Sequence, residues 1–243
     1  MRIISWGCMK YLVVFLGLIS YQISVQAYES TGASNVVEAL ESQCNLLLKK
    51  GDSTSALASC RLDAEDGDVH AMHKTSVIYY EQDDYDNAFY WAQQAALNGD
   101  AAMMDFVGVC YQQGLGVEKD SAKEYLWFLR SAESGDLNGQ YHLGLYLENR
   151  QRYEEAISWY QKLFEARHSA GMAKLARLYT NGWGVERDVG MGYVLARISK
   201  QLGDQDAQAV IDYIETRLKT AEDRVKLEAF AEEWLVKLSR LPS

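Results

Sequence analysis

The cysteines are the residues of this chain with the clearest chemical potential. Cys44 and Cys60 lie at equal distances on either side of position 52, and residues 50–53 have the composition of a turn between two helices. Residues equidistant from the turn of an antiparallel helical hairpin face one another, so we expect a disulfide between these cysteines. Two separate buried thiols are the alternative. A disulfide indicates an oxidising compartment.

The other reactive residues lack the partners that catalysis or metal binding requires. Cys110 lies within an apolar helical pattern, and no base that the sequence identifies accompanies its thiol. His70 and His73, three residues apart, offer two metal ligands without a zinc-binding signature. We expect packed or solvent-facing histidines and a buried Cys110 thiol. The sequence therefore predicts a protein without a catalytic residue, a metal or a cofactor.

One repeat frame organises the elements that position these residues. A Gly-Asp dipeptide recurs at intervals of 32, 36, 32 and 36 residues, and Arg167-His168 replaces it once. A small residue follows nine positions after each of the first four dipeptides. Self-similarity at this period predicts a solenoid of stacked units. The frame consists of Gly67-Asp68, Gly99-Asp100, Gly135-Asp136, Arg167-His168 and Gly203-Asp204.

Each unit has the pattern of two amphipathic helices joined by a turn. Two units have a long turn, at residues 114–120 and 182–188, and these copies are 68 residues apart. The other two units have shorter turns at residues 82–85 and 148–153. Glycine adopts the positive φ needed after a helix, and aspartate caps the next helix. We predict an all-α protein, an α/α superhelical solenoid of helix-turn-helix repeats.

These residues resemble the Sel1-like repeats, which are relatives of the tetratricopeptide repeats. The family pattern joins a small residue, a tyrosine, a Gly-x-Gly-Val turn and an aspartate, and both long units match it. Arg167 and Leu195 depart from the glycine and tryptophan that the pattern expects. The short turns are more like those of tetratricopeptide repeats. We assign structural roles to Gly108, Tyr111, Gly114, Gly116, Asp120, Tyr179, Gly182, Gly184 and Asp188.

The repeats leave a segment at each end of the chain. Residues 1–27 resemble a signal peptide, with Arg2 and Lys10 before an apolar run and a cleavage site near Ala27. The run is short for a membrane span, so we expect no stable span after cleavage; an uncleaved anchor is the alternative. We assign residues 28–67 to an N-terminal helical hairpin, 68–203 to four repeats and 204–243 to C-terminal capping helices.

The charge of the chain limits its partners. Lys and Arg total 24 and Asp and Glu total 34, for a formal net charge of −10. Removal of Arg2 and Lys10 with the predicted signal peptide takes this charge to −12, because residues 1–27 contain no acidic residue. Nucleic-acid binding needs Lys and Arg at the phosphates, so we exclude that class of partner. A basic protein partner is compatible with this charge.

The resemblance implies an interaction protein, because exported bacterial members of the family act as adaptors or assembly factors in the cell envelope. Our leading hypothesis is a non-catalytic periplasmic scaffold that binds another protein on a concave face lined by the first helices of the units. Trp183 is the candidate contact residue; alternatively its ring folds back over the neighbouring layer. The second hypothesis is an immunity protein that neutralises a toxin delivered into the periplasm. A β-lactam-binding or hydrolysing enzyme is a remote third, because such relatives carry a cysteine pair in each repeat.

Overall fold

The protein is all-helical over residues 43–239, the part of the chain that the computed structural model describes. This part contains twelve helices and no strand. None of these helices has both the length and the apolar character needed to cross a bilayer. The predicted signal peptide and its cleavage site near Ala27 lie outside the described residues. The helices are α1 (Gln43–Lys49), α2 (Ser53–Glu65), α3 (Val69–Glu81), α4 (Tyr85–Leu97), α5 (Ala101–Gln113), α6 (Ser121–Glu133), α7 (Leu137–Asn149), α8 (Tyr153–Glu165), α9 (Ser169–Asn181), α10 (Val189–Gln201), α11 (Ala207–Glu215) and α12 (Ala221–Ser239).

The chain divides after Asp63 into two compact units, and the first contains α1 and most of α2. A short turn joins these helices. At its end the Asp52 carboxylate accepts a hydrogen bond from the Ser55 backbone N–H at 3.0 Å, and this bond lowers the pKa of Asp52. Cys44 and Cys60 are both buried and form a disulfide across the hairpin. The disulfide therefore ties the two helices of this unit together.

The junctions between repeats in the second unit explain the recurring Gly-Asp dipeptide. The glycine takes a positive φ, for example 95° at Gly99, which reverses the chain at the end of a helix. The aspartate then accepts a hydrogen bond from the backbone N–H three residues later, as in the 3.0 Å bond from Met103 to Asp100. Such a cap stabilises a helix by about 1 kcal/mol. Each dipeptide therefore ends one repeat and begins the next.

The Arg167-His168 junction keeps this geometry with different residues. Arg167 has a φ of 56°, in the left-handed region that costs a non-glycine residue about 1 to 2 kcal/mol. His168 Nδ1 accepts a hydrogen bond from the Gly171 backbone N–H at 3.2 Å and so replaces the aspartate cap. The backbone of the repeat is therefore preserved where its preferred residues are absent.

The helices of a repeat approach closely at the small positions. A Cβ atom built on Gly108 would lie 2.5 Å from Cδ1 of Phe128, whose ring is fully buried. Ala176, the equivalent residue 68 positions later, is also fully buried. Tyr111 is buried in the same layer as Gly108, and Tyr179 is partly buried in the core of the later repeats. These residues therefore lie in the helix interfaces.

The two long turns stop and restart their helices in the same way. Gly114 and Gly182 end α5 and α9 in the left-handed conformation, with φ of 80° and 73°. Asp120 then accepts hydrogen bonds from two backbone N–H groups at the start of α6, and Asp188 accepts one at the start of α10. The residues of the Gly-x-Gly-Val turn therefore shape the backbone.

The second glycine of each long turn permits contact with the preceding repeat. A side chain at Gly116 would collide with the backbone of Tyr85, and a side chain at Gly184 would collide with Tyr153. Both glycines also have a positive φ. Tyr85 and Tyr153 begin the second helices of the short units, so each long turn packs against the short unit before it.

Helices α11 and α12 extend the row beyond the four repeats. α11 packs on α9 and α10, in the position of a first helix of a further unit, and α12 packs on α10. Leu227, Ala231 and Trp234 of α12 contact the core of the last repeats, whereas Val225 is exposed. The C-terminal helices therefore cover the end of this core, and α11 adds one more helix to the row of first helices.

Candidate functional site

The first helices of the later repeats form one side of the second unit. α5 contacts α7, and α9 contacts α11. Side chains connect α7 to α9 between these two contacts. The side on which α7, α9 and α11 lie together is called the first-helix face below.

A pocket of about 320 Å³ opens on the first-helix face between α9 and α11. Thr180 and Asn181 line it from α9, and Val210 and Tyr213 line it from α11. Trp183 closes one side from the turn that follows α9. Trp183 and Tyr213 are 40% and 39% exposed, so both rings are accessible from solvent. This pocket is therefore an accessible apolar site.

A second pocket, of about 240 Å³, continues the first toward the start of α9. Arg177, Ala209 and Val210 line both pockets, so the two form a single groove, the α9–α11 groove. Besides Arg177, the polar lining of the second pocket consists of Tyr141, Lys174, Asp204 and Asp206. The α9–α11 groove thus has an apolar end and a polar end.

An ion pair in the middle of the groove joins α7 to α9. Arg177 donates a hydrogen bond to Oε1 of Glu148, and the Tyr160 hydroxyl donates one to Oε2 at 3.1 Å. Burial, with the negative charge of Glu148, raises the pKa of Tyr160 far above its usual range and keeps this hydroxyl protonated. The Glu148 side chain is 7% exposed and that of Arg177 43%. Since a buried carboxylate needs its partners, this network holds the guanidinium at the groove.

The sequence offered two arrangements for Trp183, a ring exposed to a partner and a ring folded back over the neighbouring layer. The structure shows a ring that is both packed on a neighbour and partly exposed. One face of its ring stacks on Tyr153 of the preceding repeat, with centroids 5.6 Å apart and planes at 23°. The guanidinium of Arg177 lies 6.0 Å from the centroid of the Trp183 ring, at the limit of a cation–π interaction. The rest of the ring lines the apolar pocket. The packing on Tyr153 therefore holds an exposed aromatic wall in place; its contact with a partner stays a prediction.

The polar end of the groove carries an excess of negative charge. Burial, followed by the charges of Asp204 and Asp206, raises the pKa of Tyr141. Asp204 Oδ1 also caps α11, accepting hydrogen bonds from the backbone N–H of Asp206 at 2.8 Å and of Ala207 at 3.3 Å. The Lys174 ammonium lies 6.0 Å from the centroid of the Tyr141 ring. Apart from the Arg177–Glu148 ion pair, one ammonium and two carboxylates therefore face this end.

Cys110 and the two histidines considered from the sequence lie on α5 and α3, outside the groove. Cys110 is buried, and its burial raises the pKa of the thiol to about 12, so the thiol stays protonated and shielded at neutral pH. His73 Nδ1 lies 2.8 Å from Oδ2 of Asp100, whereas His70 is exposed. Over residues 43–239, no group of three or more His, Cys, Asp and Glu side chains is placed to hold a metal.

The repeat frame and the helical row have counterparts among known proteins. A family model of the Sel1 repeat matches residues 69–100, 101–136, 137–168 and 169–204. The chain belongs to the Sel1 repeat family. The resemblance seen in the sequence, the four repeats and the all-α solenoid class are thereby confirmed. Sel1 repeat proteins generally mediate protein–protein interactions, and the family is generally non-catalytic.

Similar proteins are known from several sources. The crystal structure of a Sel1 repeat protein from Oxalobacter formigenes has a TM-score of 0.67 and 27% identity, covering 79% of this chain and 83% of that one. A sel1-like repeat-containing protein of Acanthamoeba polyphaga mimivirus is 32% identical over 87 residues, 36% of this chain and 16% of that protein. An ERAD-associated E3 ubiquitin-protein ligase component of Arabidopsis thaliana is 32% identical over 117 residues, 44% of this chain and 18% of that protein. The chain spans less than a fifth of the length of these two relatives.

Most of the groove lies at positions that the Sel1 pattern does not mark. Trp183 is the groove residue singled out from the sequence, whereas Arg177, Val210 and Tyr213 are not. The sequence assigns Glu148 to a short turn, but the structure places it in the last turn of α7. The sequence signal that could have pointed to Arg177 was its charge in a helix made largely of small and apolar residues. No repeat period marks α11, which supplies one wall.

Proposed function

We propose that this Sel1 repeat chain is a non-catalytic periplasmic scaffold or adaptor that binds a protein partner on its first-helix face. The observation that carries the proposal is the α9–α11 groove, which is open and presents exposed side chains of Trp183 and Tyr213. Aromatic and arginine side chains supply much of the binding energy at protein interfaces. Trp183 and Tyr213, with Arg177 between them and the polar end, are the proposed contact residues.

Two features favour the periplasm as the compartment. The Cys44–Cys60 disulfide suits an oxidising environment, and residues 1–27 resemble a signal peptide. Mass spectrometry of protein alkylated without reductant, directly from the cell envelope, should find these cysteines linked and the chain starting near Tyr28. Unlinked cysteines that take up the alkylating reagent would contradict this location, and a chain that retains residues 1–27 would contradict the predicted cleavage.

The binding face can be tested by photocrosslinking in the cell that makes the protein. A photoreactive phenylalanine replaces Tyr213 of the groove or, as a control, Tyr90 of α4, which is 51% exposed on a second helix. Position 213 should yield a discrete crosslinked partner and position 90 should not. Adding Trp183→Ala should weaken the crosslink at position 213.

The identity of the captured partner distinguishes an adaptor from an immunity protein. A resident envelope component supports the adaptor role, whereas a delivered toxin assigns the same face to an immunity protein. The proposal fails if positions 213 and 90 capture the same proteins, or if a folded and abundant protein captures nothing from position 213.

A further inference from the structure

The two ends of the α9–α11 groove differ in a way that specifies what the groove binds. At the apolar end, Trp183, Val210 and Tyr213 surround a pocket large enough for one bulky apolar side chain. At the polar end, the Arg177 charge is balanced by its ion pair with Glu148, so the carboxylates of Asp204 and Asp206 outnumber the one remaining cation, Lys174. A ligand that fills the groove therefore needs a large apolar group at one end and a cation at the other.

Lys174 does not cancel this preference. Its ammonium faces the ring of Tyr141 at 6.0 Å, on the α7 side of the pocket, whereas Asp204 and Asp206 precede α11 on the other side. The whole chain has a formal net charge of −10, so the electrostatic field of the protein also attracts a cationic segment and repels an acidic one. Local and overall charge thus favour the same kind of ligand.

The distance between the two ends follows from the helix that lines both. Lys174 and the residues before it line the polar end, and Thr180 and Asn181 line the apolar end, about eight residues further along α9. At 1.5 Å per residue of helix, the two ends are roughly 12 Å apart. An extended chain rises about 3.3 Å per residue and directs alternate side chains to the same side, so residues i and i+4 span roughly 13 Å.

We infer that the α9–α11 groove binds an extended segment of a partner protein in which a large apolar side chain and a Lys or Arg lie four residues apart. The apolar side chain enters the pocket between Trp183 and Tyr213, and the cation pairs with Asp206 and Asp204. This inference rests on the proposed function and adds the chemistry of the bound segment. The length of the groove sets the spacing, and the carboxylates select the sign of the charge.

A set of synthetic peptides tests the inference on the intact mature protein. Each peptide is built of glycine and serine, is capped at both ends, and contains one tryptophan and one arginine four residues apart. Further peptides replace the arginine by glutamate, replace the tryptophan by alanine, or place the two residues three or eight apart. Isothermal titration or fluorescence anisotropy should show the four-residue spacing binding best. The alanine peptide should bind about tenfold more weakly, as expected for loss of a buried aromatic anchor.

Charge reversals at two aspartates, one just before α11 and one within it, provide the matched protein variants. Asp206 lines the groove and makes no capping bond with its side chain, whereas Asp212 is exposed on α11 outside the groove lining. Asp206→Lys should weaken the arginine peptide about fivefold and favour the glutamate peptide, while Asp212→Lys should leave both affinities nearly unchanged. Equal melting temperatures for the two variants would show that both fold.

Several results would overturn the inference. Equal affinity for the arginine and glutamate peptides would remove the charge preference, and equal affinity at all spacings would remove the predicted geometry. If no peptide in the set binds at millimolar concentration, the groove does not take such a segment. Crosslinking from position 213 separates this failure from that of the proposed function: a partner captured there through an acidic or purely apolar segment leaves the scaffold role intact.

Discussion

The two halves of the repeat array, α3–α6 and α7–α10, are offset by 68 residues and differ most on the face formed by their first helices. In the later half, an ion pair and an indole ring meet at the groove. The earlier half has a tyrosine, a valine and a leucine at the same positions. The corresponding residues are Glu148 and Tyr80, Arg177 and Val109, and Trp183 and Leu115.

The same offset relates residues that hold the backbone, and these are alike in both halves. Ser131 Oγ donates a hydrogen bond to the Ala101 carbonyl at 2.8 Å, and Ser199 Oγ donates one to the Ser169 carbonyl at 2.9 Å. The glycines and aspartates of the long turns also correspond. The turns and caps therefore maintain the helical row, while the exposed positions of the first helices are free to carry different chemistry.

The earlier half lacks a charged pair at this position and forms an aromatic cluster instead. Tyr80 is 42% exposed and packs edge-on against Phe106 at 5.3 Å and Tyr85 at 5.6 Å. Glu148, its counterpart, is buried and ion-paired. A position can therefore change from surface to core between two copies of one repeat while it stays near the end of a first helix.

The largest effect is expected from substitutions in the long turns, which the two halves share. Gly116→Val and Gly184→Val each place a β-branched residue at positive φ against the preceding repeat, so each should lower the free energy of unfolding by about 3 kcal/mol. Urea unfolding followed by circular dichroism measures the loss. Glu118→Val, at an exposed position of the same turn, is the control. A large loss in one half alone would break the equivalence of the turns.

A second change tests the close approach of helices within a repeat. Gly108→Leu should lower the free energy of unfolding by about 2 kcal/mol, because the new side chain must displace the buried ring of Phe128. Ala102→Leu, at an exposed position of α5, is the control and should have little effect. An unchanged melting curve for Gly108→Leu would contradict the packing described for this layer.

The third change tests the difference between the halves. Glu148→Gln removes a charge that both Arg177 and Tyr160 contact, and should destabilise the protein by about 1 to 2 kcal/mol after allowance for the solvent exposure of Arg177. Tyr80→Phe at the equivalent exposed position should change stability by less than about 0.5 kcal/mol. Equal losses of stability for the two substitutions in thermal unfolding would show that the two halves do not differ in this way.

The smallest effect concerns the junction that departs from the frame. Arg167→Gly should raise the free energy of unfolding by about 0.5 to 1 kcal/mol, because glycine adopts the observed positive φ without strain. Gly99→Ala at the equivalent junction should have the opposite sign. Differential scanning calorimetry of both variants tests the pair, and a loss of stability in Arg167→Gly would show that the side chain makes a contribution that outweighs the strain.

Local signals in the sequence predicted the helices and turns well, because glycine, aspartate and helical periodicity act over a few residues. The long turns predicted at residues 114–120 and 182–188 coincide with the segments between α5 and α6 and between α9 and α10. The groove depends on longer distances. Arg177 meets Glu148 from 29 positions away, and Trp183 stacks on a residue of another repeat. Neither pairing follows from the composition of a single unit, and the wall supplied by α11 lies beyond the last repeat.

We propose that the partner binds at the later end of the array, in the α9–α11 groove. Photocrosslinking in the living cell from Tyr213 and from Val77, which lies two offsets of 68 residues earlier on α3, compares the two ends directly. Both side chains are 39% exposed, so the two probes are equally accessible. We predict a specific partner linked to position 213, lost on Trp183→Ala, and no such partner linked to position 77. A partner linked to position 77 with equal or greater yield would contradict the claim.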